Sequence, residues 1–268
     1  MRNPSIGIEC LSLFGLDPVS QVRLAATLGC EHVSLNLRGP ANCLPPHQPV
    51  MLCDDKAARD ATGKALRDEG VRLSLLEGFA ILPDQDASEH LAALDMAAQL
   101  GARAICAISL DKDAERAAAS FRSLAEMADE RGLIVTTEVG AGTVRNLTRA
   151  IDAVRAVEHP AFGLLIDTMH YFRSGSTVED LDLLRPDWIR HVQLCDVPMP
   201  AVIESYMEEA LFERRAPGGG DLPLRAFLQS VPDGVPVGLE IPMRSEAGQG
   251  ISHLDRMKRC IALTRGLF

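Results

Sequence analysis

Short apolar runs rich in β-branched residues recur along the chain, and Ala- and Leu-rich stretches with helical periodicity lie between them. The strand-like runs are Ile6–Leu11, His32–Leu37, Val71–Leu76, Ala102–Ile108, Leu133–Val139, Phe162–Asp167, Ile189–Cys195 and Val235–Ile241. Helical patterns span Val19–Leu28, Asp55–Asp68, Ala87–Leu100, Asp113–Arg131, Val144–Val157 and Ser252–Thr264. The strand-like runs are continuously apolar rather than alternating, as in strands buried on both faces. Strand–helix alternation predicts βαβ units and parallel strands. Eight units in 268 residues average about 33 residues each, a usual size for such a unit. Two architectures satisfy this pattern, a closed (β/α)8 barrel and an open doubly wound sheet. The first βα turn, Leu11-Ser12-Leu13-Phe14-Gly15, lacks the G-x-G-x-x-G of dinucleotide-binding sheets. Eight repeats at this length favour closure, so the expected fold is an α/β TIM barrel, one domain over residues 1–268.

Composition narrows the partners. Twenty-seven basic residues against 37 acidic ones leave a formal charge of -10, which repels phosphate backbones and anionic membrane surfaces. No nucleic-acid or membrane partner is expected. The longest apolar stretches reach about six residues, far short of the roughly 20 that cross a bilayer. No basic segment followed by an apolar core opens the chain. The seven cysteines are scattered, odd in number and without a C-x-x-C pair, and several sit in apolar runs as small hydrophobes. A reduced, cytoplasmic protein acting on a small molecule is the expectation.

In a barrel of this kind chemistry sits at the C-terminal ends of the strands. Strand five ends in Thr136-Thr137-Glu138, strand six in Ile166-Asp167, strand seven contains Gln193, and strand eight ends in Leu239-Glu240. Carboxylates at the ends of apolar runs are costly to bury unless paired or bound to a cation. Any one of them can equally cap the next helix. Four successive strands offering Glu, Asp, Gln and Glu instead describe an oxygen-rich cage, suited to one divalent ion, Mg²⁺ or Mn²⁺, more than to Zn²⁺. Between Gln193 and Glu240 roughly 15–20 residues are inserted beyond one βα unit. That segment contains Arg215 and the turn Pro217-Gly218-Gly219-Gly220-Asp221, read either as an anion-facing loop or as a surface turn capped by Asp221. His170 at the exit of strand six can reach a substrate oxygen or sit on the surface. His191, in phase with Gln193, points into the barrel or packs in the core. Asp196 either supports the site or caps, and Glu77 and Glu9 end strands three and one within reach of a substrate.

The motifs Thr137-Glu138, Asp167-Thr168-Met169-His170, His191-Val192-Gln193-Leu194-Cys195-Asp196 and Gly238-Leu239-Glu240, with the Arg215–Asp221 loop and the helix end Ala97–Ala102, resemble the xylose isomerase-like TIM-barrel superfamily of sugar isomerases and epimerases. The resemblance covers the whole chain. It implies metal ligation by Glu138, Asp167, Gln193 and Glu240, proton transfer by Glu138 and Glu240, and substrate contacts from His170 and Arg215, with homo-oligomers common. Many epimerases of that superfamily carry histidine where this chain has Gln193, whereas glutamine there is similar to hydroxypyruvate isomerases and bacterial 3-dehydroshikimate dehydratases. Those dehydratases often carry histidine two residues after the first glutamate, where this chain has Gly140.

Such a cage implies that a divalent ion chelates a carbonyl and its neighbouring hydroxyl and stabilises the enediolate left when an α-proton departs. Glu138 and Glu240 can take and return that proton. Return to the neighbouring carbon is isomerisation, return to the opposite face is epimerisation, and loss of a β-hydroxyl is dehydration. A barrel that binds a small ligand without turnover is the reading from another class.

Overall fold

In a computed structural model, which describes residues 5–268, eight parallel strands close into a barrel in sequence order, β1 through β8 and back to β1. They are β1 Ile6–Ile8, β2 His32–Asn36, β3 Arg72–Ile81, β4 Ala104–Ser109, β5 Ile134–Glu138, β6 Phe162–Asp167, β7 Ile189–Leu194 and β8 Val237–Leu239. Among the described residues ten α-helices accompany them: α1 Pro18–Thr27, α2 Lys56–Glu69, α3 Leu91–Gln99, α4 Ala114–Asp129, α5 Leu147–Val157, α6 Thr168–Arg173, α7 Tyr206–Phe212, α8 Leu224–Ser230, α9 Arg244–Gly248 and α10 His253–Arg265. The barrel chosen over the open sheet is therefore the fold. The opening stretch, residues 1–4, lies outside the described residues.

Side-chain caps start many of the helices. Asp17, Asp55, Asp113, Asn146, Ser205 and Ser252 each accept a backbone N–H from the first turn, satisfying a donor that the helix itself leaves free. The interior is continuous, from Ile8 and Leu35 through Val135 and Leu164 to Leu239, all buried. Helix α4 is fixed to the barrel wall by Phe121 against Phe162, ring centroids 5.1 Å apart.

The boundaries differ from the sequence expectation where polar residues enter the strands. Strand β1 stops at Ile8 and turns into a 3₁₀ segment over Cys10–Leu13, so Glu9 stands at a strand exit. Strand β3 runs on to Ile81, five residues beyond the apolar run, past an irregularity between Leu76 and Phe79. Strand β8 shortens to three residues, which puts Glu240 just outside it. The insertion after β7 builds a helix of its own, α7, and α6 begins directly on the last residue of β6. Among the described residues no helix is long and apolar enough to cross a membrane.

Because Phe121 is nearly fully buried against Phe162, Phe121→Ala should lower the unfolding free energy by about 3–5 kcal/mol, the usual cost of emptying an aromatic site in a core. Chemical denaturation at equilibrium measures it. A loss below about 1 kcal/mol would mean that α4 is not held to the barrel by this contact.

Candidate active site

The register of β5 through β8 carries four of the expected residues to the same end of the barrel. Glu138 pairs with Leu165, Asp167 with Gln193, and Gln193 with Gly238, while the Glu240 N–H donates to Leu194 O at 3.0 Å. Glu138, Gln193 and Glu240 line a cavity of about 410 Å³ together with Glu77, His170, Tyr206 and Arg214. Asp167 lies beneath its wall, fully buried. Its two oxygens have different tasks. Oδ1 accepts the His170 N–H at 2.9 Å and so caps α6, and Oδ2 accepts from the Arg214 guanidinium. The capping role and the cluster role, alternatives from the sequence, are both present in this one residue.

The carboxylates fall into two adjacent groups. Glu138, Asp167 and His170 bring ligand atoms within 4.8 Å of one another, and so do Glu9, Glu77 and Glu240. Arg214 bridges the groups: its Nη1 donates to Asp167 and sits 2.9 Å from Glu240 Oε2, while its Nε donates to Ala210 O at 2.8 Å. Gln193 belongs to the second group, its Nε2 donating to Glu9 Oε2 at 3.2 Å and Glu77 Oε1 at 3.1 Å. Below it, His191 Nε2 lies 2.9 Å from Glu9 Oε1, so His191 points into the barrel and holds Glu9 rather than reaching the cavity. Gly238 makes room for this arrangement. A Cβ there would sit 1.4 Å from Glu9 Oε1, so only glycine lets that carboxylate lie across β8.

Burial and mutual repulsion govern the charges. Burial first, then the Asp167 charge, push the Glu138 carboxyl well above its ordinary range. Burial also pushes Glu240 well up, opposed by Arg214 and reinforced by Glu77, Asp167 and Glu138. Burial and the Glu9 charge raise Glu77 to about 8. Burial alone would raise Glu9 and Asp167 too, but His191 for the one and Arg214 and His170 for the other outweigh it, and both stay below the usual carboxylate range. Burial lowers His170, whose Nε2 lies 3.3 Å from Glu138 Oε1 and whose Nδ1 meets the Tyr206 hydroxyl.

Three of the expected substrate contacts are placed elsewhere: His191 beneath the cavity on Glu9, and Arg215 and Asp196 on the loop after β7. Arg215 turns its guanidinium onto its own loop, Nη1 donating to Gly219 O at 2.8 Å, and is exposed. Its backbone pairs with Asp196, and in extended chain neighbouring side chains face opposite ways, so Arg214 rather than Arg215 enters the site. Asp196 accepts from Gly218 N at 2.9 Å and Leu222 N at 3.1 Å, which holds the glycine turn in shape rather than facing the cavity. The sequence offered Arg214 only as the neighbour of Arg215. Extended alternation across the Asp196 pairing is the signal that separates them. Tyr206 was hidden in the inserted segment, where no strand period marks it.

The donors present fit a divalent cation. Five carboxylates, Glu9, Glu77, Glu138, Asp167 and Glu240, converge here around one permanent cation, Arg214. Glu138, Asp167, Glu240 and, with its amide oxygen turned inward, Gln193 are the oxygen donors available, and His170 adds a nitrogen that oxygen-only reasoning had given to substrate.

The sequence matches the family described as xylose isomerase-like TIM barrel over residues 22–259. The chain belongs to that family. No curated protein is significantly similar to it in sequence. Among solved structures this xylose isomerase-like barrel is similar to an IolI protein with a bound zinc atom (17% identity, 98% of this chain and 99% of that one, TM-score 0.76). It is also similar to D-psicose 3-epimerase with D-tagatose from Clostridium cellulolyticum H10 (16%, 98% and 99%, 0.75) and to the probable 3-DHS dehydratase AsbF from Bacillus anthracis (15%, 98% and 99%, 0.74). It spans 45% of a xylose isomerase-like TIM barrel/4-hydroxyphenylpyruvate dioxygenase fusion protein, at 20% identity, 99% coverage of this chain and a TM-score of 0.73. These likenesses are likenesses of fold.

The raised carboxyls set a pH dependence. A carboxyl whose folded pKa exceeds its unfolded one stabilises the protein below the unfolded value, and that stability is lost as pH rises through the folded value. For Glu77 the window runs from its ordinary 4.5 to about 8. The metal-free protein should therefore lose thermal stability between about pH 5 and pH 8, and millimolar Mn²⁺ or Mg²⁺ should reverse the loss. Melting curves across that range, with and without the ion, measure it; a flat profile in the absence of metal would mean these carboxyls are not held protonated by the fold.

Proposed function

We propose that this barrel is a divalent-metal-dependent isomerase or epimerase of a small sugar, polyol-ketone or keto-acid, with Glu138 and Glu240 as its proton-transfer pair. The observation that carries the reading is that these two glutamates, each buried and each pushed well above the ordinary carboxylate range, line one cavity with an arginine and a histidine. Glu138, Asp167, Gln193 and Glu240 are the residues that would hold the ion, and Mg²⁺ or Mn²⁺ suits their oxygen-rich set. The ion supplies Lewis-acid polarisation of the substrate carbonyl.

The chain's own residues supply the rest. One glutamate removes the proton on the carbon next to the carbonyl and the other delivers a proton to the opposite face or to the neighbouring carbon. His170, with its Nε2 on the Glu138 carboxylate and its Nδ1 on Tyr206, keeps Glu138 turned into the cavity. Arg214, held by Ala210 O, Asp167 and Glu240, has no freedom to follow a loop and offers a fixed guanidinium to a substrate oxygen. The substrate is a small molecule, and the exposed apolar rim of Met199, Val202 and Met207 beside the mouth supports a homo-oligomer.

A lyase that dehydrates a cyclic hydroxy-ketone is the second reading, favoured by glutamine at position 193. Against it stands Gly140. At φ +99°, with a Cβ 2.8 Å from that of His170, this position excludes the histidine that such dehydratases often carry there.

Exchange of a substrate α-proton with solvent deuterium tests the shared first step. In the presence of metal, exchange should be seen with at least one of a panel of small ketoses, inososes, hydroxypyruvate and 3-dehydroshikimate. Glu138→Gln and Glu240→Gln should each slow it by about 10²–10⁴-fold, the usual contribution of a general base. Product analysis by NMR separates isomerase from lyase. Absence of exchange across the panel with metal bound would point instead to a barrel that binds a ligand without turnover.

A further inference from the structure

The opposite end of the barrel carries a larger cavity, about 590 Å³, which the reaction above does not use. It opens between the entry points of the strands and the helix ends of α2 and α3, and three of its fifteen lining residues are arginines, Arg67, Arg72 and Arg103. None of the fifteen is a carboxylate, although the chain carries 37 acidic residues against 27 basic ones. Arg72 is paired at the rim, 2.7 Å from Glu31. Arg67 and Arg103 have no carboxylate partner among the described residues, Arg103 reaching only Gly234 O at 3.4 Å. Burial, then the charges of Arg190 and Arg72, push the Arg103 guanidinium below its ordinary value.

The walls add two features. Leu66, Val71, Leu73, Leu100 and Pro236 give the cavity an apolar face. Gly63 sits in the middle of α2, where glycine costs roughly 1 kcal/mol against alanine. Packing does not demand it: a Cβ there would meet only Arg67 Nη1 at 3.4 Å and Leu100 at 3.7 Å. The missing side chain leaves space beside the Arg67 guanidinium. His32 forms part of the inner wall, nearly fully buried, with a ring nitrogen, Nδ1, that has no partner.

We propose that this N-terminal mouth is a second binding site, for a small organic anion with a doubly charged oxyanion head and an apolar body. Arg67 and Arg103 grip the head, whose oxygens match the planar fork of a guanidinium. The leucine and valine face takes the body. The site is separated from the catalytic mouth by the length of the barrel and does not rest on the reaction assigned there.

Phenyl phosphate is the probe, followed by isothermal titration calorimetry at low ionic strength with the full chain. One molecule per chain should bind with Kd below about 1 mM. Arg67→Gln, on an exposed helical position, and Arg103→Gln should each weaken binding about tenfold, the scale of one charge-assisted hydrogen bond. Arg103→Lys should lose less, and melting curves show which variants remain folded. Arg214→Met, which alters only the catalytic mouth, should leave binding unchanged, and inorganic phosphate should bind more weakly than the phenyl ester. No saturable heat up to about 10 mM, affinity unaltered by Arg67→Gln, or binding lost in Arg214→Met would overturn the proposal; equal affinity for inorganic phosphate would overturn its apolar half.

Discussion

Carboxylates brought together out of water must be compensated, and at the C-terminal mouth of this barrel the compensation is incomplete by construction. Five of them meet one guanidinium. Isolated burial of a charge costs several kcal/mol even after relaxation, so the metal-free cluster has two outlets: protonation, which the raised Glu77, Glu138 and Glu240 show, or capture of a divalent ion. The same deficit that makes the cluster unstable as a set of anions suits it to a cation. Arg214 decides how the deficit is shared. By bridging Asp167 and Glu240 it keeps Asp167 ionised and partly offsets the rise of Glu240, so protonation falls on Glu77, Glu138 and Glu240, which burial and mutual repulsion raise beyond what one guanidinium offsets.

Much of the architecture depends on making that cluster possible. A barrel core of this kind is ordinarily filled by branched aliphatic side chains in layers. Here His191, Gln193 and Ser34 surround the Glu9 and Glu77 carboxyls through hydrogen bonds, with Gly238 leaving space for the Glu9 head. This polar layer anchors the second carboxylate group from below, and the loops after β6 and β7 anchor the first from above. Asp196 acts at one remove by fixing the Gly218–Gly220 turn, and through the adjoining Arg215 backbone it sets which way Arg214 faces.

The eight strands were legible because both-face burial writes continuous apolar runs, and the strand-end filter found Glu138, Asp167 and Glu240 without knowledge of any contact. Boundaries were less legible where polar residues continue a strand, as in β3 beyond Leu76, or where a strand stops early to release Glu9. The insertion after β7 was legible only as excess length. Its helix α7 is short and its position is set by contacts from outside the segment, namely Arg173 on Glu209 and Arg244 on Glu208. Local periodicity carries no record of such contacts. The Arg214 and Arg215 pair shows the limit most clearly: two identical residues in succession differ only in the face they present, and a pairing 19 residues away in the chain, that of Arg215 with Asp196, sets that face.

The two ends of the barrel also divide the electrostatics of an acidic protein. Carboxyls collect at the C-terminal mouth, among them Glu138, Glu240 and Glu77, while the strand entry points carry Arg72, Arg103 and Arg190. Gathering like charges at each end is unfavourable in itself, and a counter-ion at either mouth relieves it. The division also means that a bound cation at one mouth and a bound anion at the other would lower the same axial charge separation. Occupancy of one end therefore reduces the electrostatic cost of the other only weakly, since a barrel's height exceeds the roughly 8–10 Å over which salt leaves exposed charges in contact. The two mouths are thus electrostatically nearly independent ends of one scaffold, joined by the polar column of His32, His191 and Glu9 rather than by their fields.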